Sequence, residues 1–334
     1  MSERQQDFAV VNVLTTGFGP GSDGRIAEIA VVRLDPSGRE VGRLESLINP
    51  GTVAEDRAGV GSLDLKDAPD FGDLLGHVAR LCDDAVLTSH RDRYDVTVLL
   101  SELARAGFPL EDPQRLSTMR LARDVLPGQA SYRLRALCKS LGIKVPDDPS
   151  AGRDAEATAR LLSKLLERSG GRELPLQGRR RSWPEVPAKR EAVPRKREPV
   201  IPPEVAFLKK ILGNMPTRGA VMATDENADV YLELLGQALE DRVLTDREAL
   251  SLAAVASDLD LSQESVGLLH REFWHQLCVS AWLDGVVTDE ERAMMRSAAE
   301  CLSISREEQV AIEDAAKAEA EDIDEFAEVS DDQE

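Results

Sequence analysis

Two neighbouring apolar stretches constrain the fold of this chain more than any other feature. The first is Asp7 to Gly17, D-F-A-V-V-N-V-L-T-T-G, in which the run Phe8 to Val11 plus Val13 reaches a polar T-T-G turn. The second is Arg25 to Leu34, R-I-A-E-I-A-V-V-R-L. Runs of this length, rich in β-branched residues and bounded by turn residues, read as buried strands. A third strand follows over 40–49, after the D-P-S-G turn at 35–38. Phe71 to Leu81 has its apolar residues at helical spacing, Ala85 to Leu87 reads as a short strand, and helical patterns recur over 94–106, 119–126, 134–141 and 153–167. Three strands, a fourth after a helix, and then mostly helices predict an α/β sheet of ribonuclease-H type over residues 5–168.

Beyond this region the pattern changes. Residues 169–202 are basic and rich in proline (P-L-Q-G-R-R-R, P-E-V-P-A-K-R, V-P-R-K-R-E-P), which predicts an extended linker. Contact with phosphates and pairing with the acidic C-terminal part are the alternatives for this basic run. From 203 to 317 the pattern is helical throughout, starting with V-A-F-L-K-K-I-L, and residues 318–334 form an acidic tail read as disordered. The net charge is −4 over residues 1–168, +5 over 169–200 and −21 over 201–334. Acidity of that size in the C-terminal part repels a nucleic-acid backbone, whereas the first part is near neutral.

The helical part repeats itself with a period of 43. Asp241 to Glu248 (D-R-V-L-T-D-R-E) returns as Asp284 to Glu291 (D-G-V-V-T-D-E-E), and Leu259-x-Leu261-Ser262-x-Glu264 returns as Leu302-x-Ile304-Ser305-x-Glu307. Thr245 with Glu248, and Thr288 with Glu291, have the spacing of a capping box. The acids around Asp284 and Asp289 to Glu291 lack the alternating oxygen ligands of an EF-hand, so turn and cap explain them better than a cation site. Trp274 and Trp282, eight residues apart, read as core.

Cys82, Cys138, Cys278 and Cys301 are scattered, with no Cys-x-x-Cys and no histidine at ligand spacing. They argue against structural zinc and for a reducing cytoplasm. The polar start M-S-E-R-Q-Q-D lacks the order of a signal peptide, and no apolar window is long enough for a membrane span.

The first part resembles the DEDD exonucleases, whose first strand reads hydrophobic-Asp-hydrophobic-Glu-Thr-Thr-Gly. Asn12 and Leu14 stand where that family has its Asp and Glu, and Thr15, Thr16 and Gly17 match. A second motif lies at Ser89 to Leu100: His90, Tyr94 and Asp95 match, and Arg91 replaces the usual Asn. The stretch T-M-R-L-A-R-D-V-L-P-G, with S-Y-R-L at 131–134, is also similar. In the third motif Asp154 matches, Pro149 stands at the expected His, and Ser150 stands where the tyrosine variant has Tyr.

The resemblance implies metal-assisted hydrolysis of a terminal phosphodiester, with two divalent ions about 4 Å apart. Mg²⁺ or Mn²⁺ is the cofactor implied, and Asp95 and Asp154 are the remaining catalytic and metal-binding positions. Thr15, Thr16, Gly17 and His90 are the positions implied near a bound nucleic acid. Asn12 brings no charge, Leu14 cannot ligate, and Pro149 cannot act as a base. General-base loss alone costs about 10²–10⁴-fold. The expectation is an inactive or strongly impaired exonuclease fold that binds a nucleic-acid end or nucleotide. Two rivals stand beside it: an active metal-dependent 3′–5′ exonuclease with relocated ligands, for which Glu28 is the nearby acid, and an adaptor whose cleft is filled. Asp95 and Asp154 also have an ordinary reading, as acids complementing helix dipoles. The unit A-W-L-D-G-V-V-T-D-E-E-R resembles the TerB-like (tellurite-resistance protein B-like) helical domain over roughly 225–315. That resemblance implies an interaction module with a protein partner.

Overall fold

The computed structural model describes residues 6–17, 24–51, 65–129, 131–145, 150–195, 226–239, 246–282 and 285–331. It divides the chain into two compact units, Met1–Ile201 and Pro202–Glu334. No helix among the described residues is long and apolar enough to cross a membrane.

The first unit is built on a five-stranded sheet. Its strands are β1 (Asp7–Thr15), β2 (Ile26–Leu34), β3 (Glu40–Leu47), β4 (Ala85–Ser89) and β5 (Arg115–Ser117), in the order β3-β2-β1-β4-β5. Strands β1, β2 and β3 pair antiparallel, whereas β4 runs parallel to β1 and β5 parallel to β4. Five helices accompany it: α1 (Phe71–Cys82), α2 (Asp92–Arg105), α3 (Thr118–Val125), α4 (Leu134–Ser140) and α5 (Ala151–Ser169). The apolar runs of β1 and β2 are buried along nearly their whole length because helices cover both sides of the sheet.

The register decides which side chains meet. Phe8 lies opposite Leu34, Val10 opposite Val32, Asn12 opposite Ala30, and Leu14 opposite Glu28. With a side-chain period of two, these eight residues share one face. Phe8, Val10, Leu14, Ala30, Val32 and Leu34 pack there with Ala151, Ala155, Leu161 and Leu162 of α5 and with Leu121 and Ala122 of α3. The pairing is irregular between Leu14 and Thr15, where the strand leaves the ladder for the T-T-G turn.

The basic, proline-rich stretch is extended, as its prolines dictate, but it lies docked on the first unit. Arg115 and Gln177 exchange backbone hydrogen bonds of 2.9 Å in both directions. Trp183 is 6% exposed, and its N–H donates to Asp83 Oδ1 at 3.2 Å. Lys189 N–H donates to the Asp73 carbonyl at 2.8 Å, and Leu47 N–H donates to the Val193 carbonyl at 2.8 Å. Val193 N–H in turn donates to Ser46 Oγ at 2.9 Å. A methyl group at Gly76 of α1 would run into the backbone of Val186, Pro187 and Ala188, so the close crossing of this segment over α1 requires glycine there. Residues 177–195 thus form a clasp held by backbone hydrogen bonds, one buried tryptophan and arginine side chains bonded to the first unit.

The second unit is helical: α6 (Glu226–Ala238), α7 (Asp246–Asp258), α8 (Gln263–Trp282), α9 (Asp289–Cys301) and α10 (Arg306–Asp331). The expected helix over V-A-F-L-K-K-I-L, the Thr245–Glu248 cap and Asp284 lie outside the described residues. The 43-residue repeat is a repeat of geometry. Asp260 and Ser303 both take left-handed φ, +55° and +56°. Leu261 N–H donates to the Ala256 carbonyl and Ile304 N–H to the Ala299 carbonyl, each at 2.9 Å. Asp260 N–H reaches the Ser257 carbonyl at 3.0 Å, and Ser303 N–H the Glu300 carbonyl at 3.1 Å. Both are Schellman closures of a helix C-terminus. Thr288 and Glu291 form the expected capping box.

Ser305 and Glu308 make a second box that the sequence reading did not pick out, with Ser305 N–H to Glu308 at 3.0 Å and Glu308 N–H to Ser305 Oγ at 3.4 Å. The Ser305 hydroxyl, bonded to the Glu308 carboxylate, pulls that carboxyl down to about 2. Helix α10 continues through residues expected to be without structure from 318 onward, where an alanine-rich A-A-K-A-E-A-E-D run favours helix. Trp274 is core, 2% exposed, with Nε1 donating to the Met295 carbonyl at 2.9 Å. Trp282 is half-buried, with Lys317 Nζ 4.8 Å from its ring centre.

Candidate active site

Three elements converge at the C-terminal end of β1. Helix α2 is brought there by Tyr94, whose hydroxyl lies 2.8 Å from Thr15 Oγ1 and 3.4 Å from the Gly17 carbonyl. Its body is fixed by a two-point ion pair in which Arg25 Nε and Nη2 donate to Glu102 at 2.6 and 3.0 Å. Hydrogen bonding to the buried Glu102 carboxylate raises the Arg25 pKa further. Helix α5 arrives through Ser150, its N-cap, whose Oγ donates to Glu28 Oε1 at 3.3 Å. Glu28 sits directly opposite Leu14, so the start of α5 lies over the end of β1.

Asn12 is 4% exposed, and its Oδ1 has no hydrogen-bond partner among the described residues. Leu14 is 9% exposed and belongs to the apolar core beneath α5. Asp95 is fully buried in the first turn of α2, where Ser89 Oγ donates to its Oδ2 and Arg91 Nη2 lies 3.8 Å from its Oδ1. The Arg91 guanidinium also stacks over the Tyr94 ring at 5.1 Å. Asp154 lies in the first turn of α5, 3.7 Å from Arg135 Nη2. Both acids therefore sit at helix N-termini, where the dipole favours negative charge.

Thr15 and Gly17 are half-buried, and the Thr15 hydroxyl also bonds the Gly17 carbonyl. Thr16 is buried. Its N–H donates to the Arg25 carbonyl at 2.9 Å, and its Oγ1 accepts from Arg25 N–H at 3.1 Å. His90 is enclosed: Nδ1 lies 2.9 Å from Thr118 Oγ1, and Nε2 lies 2.9 Å from the Tyr132 carbonyl. At 4% exposure the ring joins α3 to the 131–133 segment, unlike Thr15 and Gly17 at the edge of the site. Pro149 lies outside the described residues.

Glu28 and Arg195 are the most instructive pair. Glu28 is fully buried, and burial pushes its carboxyl pKa up against the opposing pull of Arg195 and the Ala151 N–H. Arg195, 7% exposed, reaches it from 167 residues downstream, at the end of the clasp. Sequence reasoning named Glu28 but not its partner.

A two-ion centre needs carboxylates free to face cations. Among the described residues no group of three or more His, Cys, Asp or Glu is placed to hold an ion. Asn12 is a neutral amide, Leu14 is an apolar core residue, and Glu28, Asp95 and Asp154 face guanidinium groups. The residues described do not fit a pair of Mg²⁺ or Mn²⁺ ions.

The first unit is thus a mixed α/β sheet with Asp95 and Asp154 in the first turns of two of its helices. Residues 15–162, a little under half of the chain, match the Exonuclease family. The match begins at Thr15, just past Asn12 and Leu14. The chain is 31% identical over 175 residues to the 3′-5′ exonuclease DinG of Bacillus subtilis, covering 51% of this chain and 18% of that protein. It is 32% identical over 174 residues to the PolC-type DNA polymerase III of Oceanobacillus iheyensis, covering 51% of this chain and 12% of that one. The chain thus spans less than a fifth of the length of these curated relatives. Exonuclease I of E. coli in complex with a dT13 oligonucleotide is similar at 17% identity and a TM-score of 0.43, covering 50% of this chain and 42% of that one.

Proposed function

We propose that the first unit holds a nucleic-acid end or a nucleotide without cutting it, and that the helical unit is a TerB-like interaction module that engages a protein partner. The observation that carries the first half is Leu14, which is packed in the core beneath α5 at the place where the resemblance puts a metal-binding Glu. Asn12 leaves a buried, unpartnered amide oxygen at the other position, able to accept a hydrogen bond but bringing no charge. Thr15 and Gly17, half-buried at the end of β1, offer a hydroxyl and backbone groups at the rim. The period-43 Schellman closures and the Thr288–Glu291 box support the second half, since they make the helical unit a regular two-fold repeat.

The rival reading is a weak 3′–5′ exonuclease with relocated ligands, and Glu28 is its candidate. The hydrogen bond from Ser150 and the ion pair with Arg195 already occupy that carboxylate.

The test is fluorescence anisotropy of a 3′-labelled single strand with the full chain in EDTA. Binding is expected at low salt and should weaken as salt rises, because phosphate neutralisation releases counterions. Asn12→Val and Thr15→Val are expected to weaken it by about 3- to 10-fold, the worth of one hydrogen bond each. Strand binding that is absent at low salt, or unchanged in both variants, removes this reading and leaves a scaffold with a filled cleft.

A further inference from the structure

The disagreement between this site and a two-ion centre has a positive counterpart. We infer that Arg91, Arg135 and Arg195 are built-in counter-ions that take the place of divalent cations beside Asp95, Asp154 and Glu28.

The three pairs are separate in sequence; in two of them the carboxylate, of Asp95 or Glu28, is fully buried, and in the third Asp154 is 22% exposed. Arg91 and Asp95 lie on one helix start, 3.8 Å apart, with the arginine side chain 10% and the carboxylate 0% exposed. Arg135 reaches across from α4 to Asp154 on α5, at 3.7 Å. Arg195 comes in on the clasp and is bonded to Glu28. A buried carboxylate demands a positive charge or hydrogen-bond donors. A divalent ion answers for two or more carboxylates at once, whereas a guanidinium is monovalent and planar and answers for one. At the buried Asp95 and Glu28 a guanidinium meets this requirement without metal, and Arg135 stands within ion-pair distance of the more exposed Asp154.

The arrangement also accounts for the clasp. A segment carrying Arg179 to Arg181, Lys189, Arg190 and Arg195 is docked by backbone hydrogen bonds to Leu47 and Asp73 and by ion pairs of Arg180 with Asp84 and of Arg190 with Asp73. Its last described residue delivers a cation to the one fully buried carboxylate of β2. The clasp is thus part of the site, and the site is complete only when residues 177–195 are in place.

This inference stands apart from strand binding and is tested without nucleic acid. Mn²⁺ is titrated into the full chain and followed in ¹H–¹⁵N correlation spectra, where a bound ion broadens nearby amide signals and so reports its position. In the natural chain the signals of Asn12, Leu14, Asp95 and Asp154 are expected to stay sharp at equimolar Mn²⁺. In Arg91→Asn and Arg195→Ala they are expected to broaden, and Mn²⁺ should raise the Tm of these variants by about 3 °C at roughly ten times its Kd. Arg135→Ala, whose parent side chain is partly exposed, supplies a third chain should a buried variant fail to fold. Broadening at these positions in the natural chain overturns the inference. So does a lack of broadening in every arginine variant that folds.

Discussion

Arg195→Ala is expected to destabilise the first unit by about 3 kcal/mol at pH 7, and Glu28→Gln by a similar amount, because either change leaves its partner's charge buried without a counter-ion. Glu28 is fully buried and Arg195 nearly so, hence solvent screens this pair little. Replacing both, as Glu28→Gln with Arg195→Ala, should cost clearly less than the sum of the two single losses, since two desolvated charges vanish together.

The pH dependence carries a definite sign. Burial raises the folded pKa of Glu28 above its ordinary value of 4.5, so the stability linked to this group is fully present below 4.5 and is lost as pH rises through the folded value. Arg195 opposes the rise. Its removal raises the carboxyl further, so the gap between natural and variant chains should widen only as pH rises past the folded value of the natural chain. Urea unfolding of the four chains at pH 4 and pH 7 measures both effects. Additive single losses, with a coupling under about 0.5 kcal/mol, would mean that the two groups do not act as a pair.

Trp183→Ala is expected to have the other large effect, about 3–5 kcal/mol, the usual cost of truncating a buried tryptophan. Trp183 is 6% exposed and lies in a segment that has no helix or regular strand of its own. It is the buried apolar anchor of the clasp, beside the backbone hydrogen bonds and the arginine contacts to Glu28, Asp84, Glu111 and Asp67. Its loss should therefore release residues 177–195 before the sheet itself unfolds, a local opening of the kind that proteases detect. Trypsin is the natural probe, because Arg179, Arg180, Arg181, Lys189, Arg190 and Arg195 all lie there. The natural chain should resist cleavage at these positions and Trp183→Ala should be cut quickly. Equal cleavage rates in the two chains would show that the clasp does not depend on the tryptophan.

Much of the fold is legible in the residues. The apolar runs of β1 and β2 give two buried strands, and the spacings over 71–81, 134–141 and 153–167 give helices whose observed bounds differ by a residue or two. Strand β5 is not legible. Its three residues, R-L-S, hold a single apolar side chain and show no period, and it exists because β4 offers an edge on which to pair. The docking of the clasp is hidden for a different reason: composition registers prolines and bases, which favour an extended chain, and says nothing of backbone hydrogen bonds or of the missing Cβ at Gly76.

At the site, the odd and even faces of β1 and β2 place Asn12, Leu14 and Glu28 together once the register is known. The Arg91–Asp95 pair could have been read from its four-residue spacing on a helix. Arg135 and Arg195 could not, because only the tertiary fold brings α4 and the clasp to those carboxylates.

The central proposal is that the first unit holds a nucleic-acid end or a nucleotide without cutting it. It is tested most directly by a nuclease assay of the full chain on end-labelled single strands, with Mg²⁺ and then Mn²⁺. A chain carrying Asn12→Asp, Leu14→Glu, Arg91→Asn and Pro149→His is assayed beside it. The account predicts that the natural chain leaves the strands intact and the altered chain shortens them from the 3′ end. Shortening by the natural chain that Asp95→Ala abolishes would contradict the account and show that the ligands have moved.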